Sequence, residues 1–189
     1  MRPFAALLAM LTLAGCVSPG VRQTGLGQCQ DGIRDGWYKL QVVGGPVVAT
    51  GSFVDGTKHG VFTFYSTGGT KLAEIPYSND AKTGTIRLWY SEFAYPEATG
   101  RLKLEAECTS NLLDGRKRTW WPSGAKRSSE LFRNGSLVEA EAWDEAGRSM
   151  SRSQADQLSR DSAEADAKYY RILESEVDAY PPACARPAA

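Results

Sequence analysis

Residues 60–80 read GVFTFYSTGGTKLAEIPYSND, with glycines at 60 and 69 and aromatic residues at 62, 64, 65 and 77. Seen once, such a stretch could be a catalytic loop. Seen again at fixed spacing, it is a building unit. Counting from Gly60, apolar Phe62 and Phe64 fall at +2 and +4, Tyr65 at +5, Gly69 at +9, Glu74 at +14, Tyr77 at +17, and Asn79-Asp80 at +19 and +20. Counting from Gly36 places Tyr38, Leu40, Gly45, Phe53 and Asp55-Gly56 at the matching positions. From Gly84 come Ile86, Leu88 and Trp89, then a seven-residue insertion around 93–96, after which Glu105 and Cys108 recover +14 and +17. From Gly115 come Trp120, Gly124, Phe132 and Asn134-Gly135. The four copies share a period of about 24 residues, the mark of a repeat architecture.

One copy reads as a β-hairpin. Positions +2 and +4 share a strand face because side chains alternate with period two. Position +9 is a turn, where glycine accepts positive φ. Positions +13, +15 and +17 line one face of the return strand, as in Ala49-Gly51-Phe53, Ala73-Ile75-Tyr77 and Leu104-Ala106-Cys108. Asp-Gly and Asn-Gly at +19 and +20 are strong turns to the next hairpin. Eight such strands at ~4.8 Å make an antiparallel meander about 38 Å across. In the fourth copy the same face turns polar, with Lys117, Thr119, Ser128 and Glu130, which reads as a terminal cap. A last strand, 137–143, follows and closes on the turn 144–147. From about Ser151 glycine gives way to Ala, Ser, Glu and Asp. Ser151 and Gln154 fit a capping box, and Pro181-Pro182 ends what reads as one helix over about 151–179. At ~1.5 Å per residue that helix runs roughly 40 Å, a match to the sheet's width. It either lies along the sheet or projects as an arm. The fold class is therefore mainly β, a meander of stacked hairpins with one C-terminal α-helix.

The first residues look like a targeting segment. Arg2 is followed by an apolar run from Phe4 to Ala14, too short to span a bilayer. It ends Leu13-Ala14-Gly15-Cys16, which resembles the lipobox of bacterial lipoproteins. The resemblance implies cleavage before Cys16 and acylation of that residue. Val17 in place of Asp implies an outer-membrane lipoprotein facing the periplasm. The chain then divides into a signal peptide (1–15), a lipidated Cys and flexible tether (16–28), a repeat domain (29–148), the helix (149–180) and a disordered tail (181–189). An exported compartment permits disulfides. Cys108 stands at +17 among Phe53, Tyr77 and Phe132 and reads as a buried reduced thiol. Cys29 opens the folded region and Cys184 follows the helix, so these two form the expected disulfide.

Chemistry-bearing residues are sparse. Lys plus Arg and Asp plus Glu number 22 each, so no global charge draws the chain to nucleic acid. The single histidine, His59, precedes a repeat glycine where other copies have Asp35, Thr83 and Asp114, which reads as an exposed turn position. Neither a zinc ligand set nor a Ser–His pair can be assembled, and no metal or cofactor is expected. Glu74 and Glu105 share +14 and read as solvated acids paired with a base such as Arg87. The richest strip is GRKRTWWPSGAKR, 115–127. Its Arg116, Lys117, Arg118, Trp120, Trp121, Lys126 and Arg127 could form a patch for anionic headgroups, glycan phosphates or an acidic protein. The other reading is a solvated end hairpin whose tryptophans face inward.

Gly36-Trp37-Tyr38, Gly60…Phe64-Tyr65…Gly69 and Gly115…Trp120-Trp121…Gly124, with Asn-Gly after the return strand, resemble the MORN-variant repeats of bacteria over about 36–148. The resemblance implies MORN-like stacked hairpins with a binding or scaffolding role and no catalysis. It also implies an antitoxin-like or immunity-type relation to a secreted toxin. The expected partners are a membrane, through the lipid, and a protein, either a toxin or an envelope component. The alternative is an envelope structural protein that binds lipid headgroups or peptidoglycan through 116–127.

Overall fold

The computed structural model describes residues 22–184. Residues 1–21, where the expected signal peptide, Cys16 and the start of the expected tether fall, and 185–189 lie outside the described residues. Eleven strands precede one helix: β1 (Gln23–Gln30), β2 (Ile33–Val42), β3 (Val47–Val54), β4 (Thr57–Tyr65), β5 (Lys71–Ser78), β6 (Ala81–Lys82), β7 (Gly84–Trp89), β8 (Leu102–Thr109), β9 (Leu112–Trp120), β10 (Lys126–Arg133), β11 (Ser136–Ala142) and α1 (Arg152–Ala179). They form one antiparallel sheet in which each strand lies beside its sequence neighbour, with the two-residue β6 pairing β5. The sheet does not close into a barrel; β1 and β11 are its edges. The meander read from the repeats is the fold.

Two kinds of turn alternate along the sheet. At one end Asp31-Gly32, Asp55-Gly56, Asn79-Asp80, Ser110-Asn111 and Asn134-Gly135 all have positive φ at both residues. Such two-residue turns match the right-handed strand twist. At the other end sit the +9 glycines. Ser66 N donates to Thr70 O at 2.8 Å and Gly69 N to Ser66 O at 3.0 Å, and the same pair of bonds recurs at Trp121–Ala125 and at Asp144–Arg148. The turn at 144–147 is thus a fifth copy of the +9 turn, with a return strand reduced to the bridge between Trp143 and Ser149. Just beyond the first four +9 turns a bulge adds one residue to the return strand: Val48, Leu72, Lys103 and Arg127.

The glycines that mark each unit's start behave differently from a turn residue. Gly115 sits inside β9 with φ 120° at the register shift between β8 and β9. A Cβ there would run into the Glu107 carboxylate, so the residue is needed for close approach as much as for φ.

α1 begins with the capping box read from the sequence: Ser151 N donates to Gln154 Oε1 at 2.9 Å and Gln154 N to Ser151 Oγ at 3.4 Å. It crosses the whole inner face of the sheet. Near its start Ser159 Oγ donates to Glu130 Oε2 at 2.9 Å. Farther on, Asp166 meets Lys117, Glu174 meets Lys82 and Asp178 meets Lys58, all within 2.7–2.9 Å. At its end Tyr38 Oη donates to Tyr180 O at 2.9 Å. Nine strand spacings of ~4.8 Å and 28 residues of ~1.5 Å both come to about 42 Å, so helix and sheet match in length. Between them Leu173 and Val177 meet Tyr38, Leu40, Phe53, Phe62, Ile75, Ile86, Leu88 and Leu104. Tyr38–Phe53, Phe53–Phe62 and Phe62–Tyr77 stack edge to face with centroids 5.4–5.5 Å apart, each such pair adding about 1 kcal/mol beyond its buried area.

Several boundaries differ from the sequence reading. Residues 23–28, expected in a flexible tether at 16–28, form β1. Their glycines serve close approach: a Cβ at Gly25 would strike the Tyr180 carbonyl. The tail expected at 181–189 is structured as far as 184, with Pro182 buried and Cys184 bonded to Cys29. The helix expected at 149–180 spans Arg152–Ala179. His59, expected at a turn, is an exposed residue of β4.

Candidate functional site

With α1 on one face, the opposite face of the sheet is the broad open surface. Register sets its side chains in transverse rows. One row runs Leu26, Lys39, Thr50, Thr63, Glu74, Arg87, Glu105, Arg118, Ser129, Glu141, one residue from each of ten strands. Its centre alternates in sign. Glu105 accepts from Arg87 at 3.1 Å and from Arg118 at 3.3 Å, and Glu74 pairs with Lys71 at 2.7 Å. Opposite charges directly across strands stabilise by a few tenths of a kcal/mol each. Glu74 and Glu105 are thus members of this ladder, with Arg87 between them.

A second outer row lies nearer the +9 turns. It holds the +5 residues Tyr65, Trp89 and Trp120, each directly after the buried Phe64, Leu88 and Thr119. Trp143 extends the row from β11, its N–H donating to Arg127 O at 2.9 Å. Lys71 lies over the Trp89 ring at 4.3 Å and Lys126 over the Trp143 ring at 4.2 Å. The seven-residue insertion forms a rim along this row. Glu92 bonds Ser66 in the preceding turn, Tyr90 Oη donates to Trp120 O at 2.6 Å, and Arg101 donates to Pro122 O at 2.9 Å. Three neighbouring turns are thereby joined, and Phe93 stands exposed on the rim.

The strip at 115–127 is divided between the two faces. Arg116, Arg118, Trp120 and Lys126 lie on the outer side. Trp121 donates from Nε1 to Trp143 O at 3.0 Å and carries Arg127 over its ring at 5.0 Å. Lys117, expected in the anionic-ligand patch, faces the helix and is 1% exposed. The polar face of the fourth copy is likewise not a solvent-facing cap: Thr119, Ser128 and Glu130 are also buried there. Ser128 Oγ bonds Thr119 Oγ1 at 2.7 Å and Glu130 Oε1 at 2.8 Å, and Lys117 Nζ lies 2.9 Å from Asp166. Alternation placed Lys117 on the inner face, but the sequence did not show that the acidic helix covers it. Burial also lowers the pKa of Lys103 beside this cluster, with the Asp166 charge opposing the shift.

A cleft of about 240 Å³ opens between the middle of α1 and β7–β9. Ile86, Cys108, Leu113, Ala163, Ala167 and Tyr170 line it, with Lys82, Arg171 and Glu174 among its charged residues. Alanines on the helix face Cys108 on the sheet, and small groups facing one another leave the space. Cys108 is free. Burial pushes its thiol up to about 11, so it stays protonated and a poor nucleophile near neutral pH. Alkylation of the oxidised protein should therefore be slow when folded. In denaturant one thiol other than Cys16 should react quickly; three would mean that Cys29 and Cys184 are unpaired.

Among the described residues no group of His, Cys, Asp or Glu is arranged to hold a metal ion, and no helix is long and apolar enough to cross a membrane. No protein-family model matches this chain, and neither does any curated protein.

Proposed function

We propose that this chain is a membrane-anchored periplasmic lipoprotein of the outer membrane and a non-enzymatic protein-binding module with MORN-like repeats. The observation that carries the binding role is the open outer face, where Glu74, Arg87, Glu105 and Arg118 alternate in sign across four adjacent strands. Alternating charge on a stiff sheet favours a partner of matching pattern and disfavours one out of register. The lipobox-like Leu13-Ala14-Gly15-Cys16 supports the anchor, and the Cys29–Cys184 disulfide suits an oxidising compartment. The partner is a toxin or an envelope protein, and the antitoxin-type version predicts that deleting the gene raises killing by a toxin-secreting neighbour.

The test is a photo-crosslinker at Thr63 or Ser129, with Arg87→Glu/Glu105→Arg as the discriminating variant. That exchange keeps the 87–105 pair but sets like charges opposite each other at 74/87 and 105/118, which breaks the alternation; an unchanged thermal midpoint shows that the sheet itself is intact. Both positions should capture one protein in cells, and the exchange should cut capture about tenfold, as mispaired interface charges do. Capture unaffected by the exchange would remove the outer face from the role. Cys16→Ser should move the protein from the membrane fraction to the soluble periplasm. The rival, headgroup binding through 116–127, predicts that Arg116→Ala/Arg118→Ala abolishes sedimentation with anionic vesicles.

A further inference from the structure

The +5 row has a regularity that a protein partner does not require. Tyr65, Trp89, Trp120 and Trp143 stand on β4, β7, β9 and the end of β11, so each step between them crosses two strands. Two strand spacings are about 9.6 Å, and the four rings span three equal steps. An extended β-linked glycan advances by nearly that distance every two sugars, and a pyranose offers a face of C–H groups that stacks on an aromatic ring.

The positive charges on the row are placed with the rings. Lys71 and Lys126 lie on β5 and β10, four strands apart along the sheet order, which is two of the same steps. Each ammonium rests over a tryptophan ring, and both side chains have solvent access. A sugar laid against the indole displaces the lysine stem, which at position 71 also carries the 2.7 Å ion pair to Glu74, and leaves the ammonium at the ring's edge. The rim around Tyr90, Glu92 and Arg101 holds three of the turns rigid, so little ordering cost remains for binding.

We infer that this row is a track for an extended β-linked glycan carrying a carboxylate on every second sugar. The rings bind alternate sugars and the lysines meet the carboxylates. Neither the lipid anchor nor the protein partner proposed above is needed for this, and the track takes Trp120 and Lys126 from the strip at 116–127 without Arg116, Lys117 or Arg118.

The test is binding of the disulfide-intact protein to peptide-free glycan strands released from sacculi by an amidase, which bear a lactyl carboxylate on alternate sugars. Neutral chitohexaose and anionic phospholipid vesicles are the comparison probes. Trp89→Ala and Trp120→Ala should each weaken strand binding about tenfold, the loss of one aromatic contact. Lys71→Met/Lys126→Met, on side chains with solvent access and with the thermal midpoint checked against wild type, should reduce strand binding to the level of chitohexaose. The proposal is overturned if the tryptophan variants keep wild-type affinity with an unchanged thermal midpoint. It is also overturned if chitohexaose binds wild type as well as the strands do, or if only the vesicles bind. Should a tryptophan variant fail to fold, the lysine pair decides alone.

Discussion

Cys29→Ser/Cys184→Ser should lower the unfolding free energy by about 2–5 kcal/mol in urea denaturation. The bond closes a loop with a sequence separation of 155 residues, for which chain entropy alone gives roughly 5 kcal/mol. The native contacts it supports are not lost with it. Tyr38 Oη still donates to Tyr180 O, Gln23 Nε2 still donates to Glu176 at 3.1 Å, and Pro182 still packs over Gly27. The variant should therefore fold to the same sheet, with faster amide exchange confined to β1 and the last turns of α1. Those elements rely on the bond most, because β1 is an edge strand paired only with β2. A stability change below about 0.5 kcal/mol, within the range of ordinary surface substitutions, would show that the unfolded chain gains nothing from being cut free.

Lys117→Met should cost about 3 kcal/mol or more, because removing one partner of a buried pair leaves uncompensated charge. The ammonium lies 2.9 Å from Asp166 and 3.7 Å from Glu130, and Glu130 is 1% exposed. Lys117→Met/Asp166→Leu should recover the part of that loss due to Asp166, while Glu130 stays buried without its cation. Glu130 keeps its bonds from Ser128 and Ser159, and two apolar chains fill the place of the pair. Measured as a double-mutant cycle, the coupling should exceed 1 kcal/mol. A surface lysine would give a loss of under about 0.5 kcal/mol and no coupling, so the size of the effect decides between the buried and the patch assignment. Arg116→Ala, one residue away on the outer face, should be close to neutral.

The repeat was legible because each of its marks answers a local demand. Two-residue turns need positive φ twice, which Asp-Gly and Asn-Gly supply, and period-two alternation names the buried face without knowledge of what buries it. Ser110-Asn111 makes the same turn with less favourable residues and was recoverable only from the period. The chain before 29 was misread for a physical reason. Glycine marks both a flexible linker and a place where another backbone comes close, and composition does not distinguish the two. At Gly25 the other backbone is Tyr180, 155 residues away. Lys117 and Glu130 were misassigned for a related reason: a polar face reads as solvated until something covers it. The aromatic row was visible as a +5 recurrence, yet its even step across the sheet depends on strand order.

By itself the sequence determined the hairpin unit, its turns, the inward set from Tyr38 to Cys108 and the capped helix, because these follow from backbone sterics and alternation within about 24 residues. Tertiary structure alone decided that the helix lies across the sheet, that its acids meet Lys58, Lys82 and Lys117, and that the outer face stays open. Those outcomes depend on matching a helix's length and charge to a sheet whose contacts with it include one between residues 142 apart in the chain, a match that no local pattern encodes.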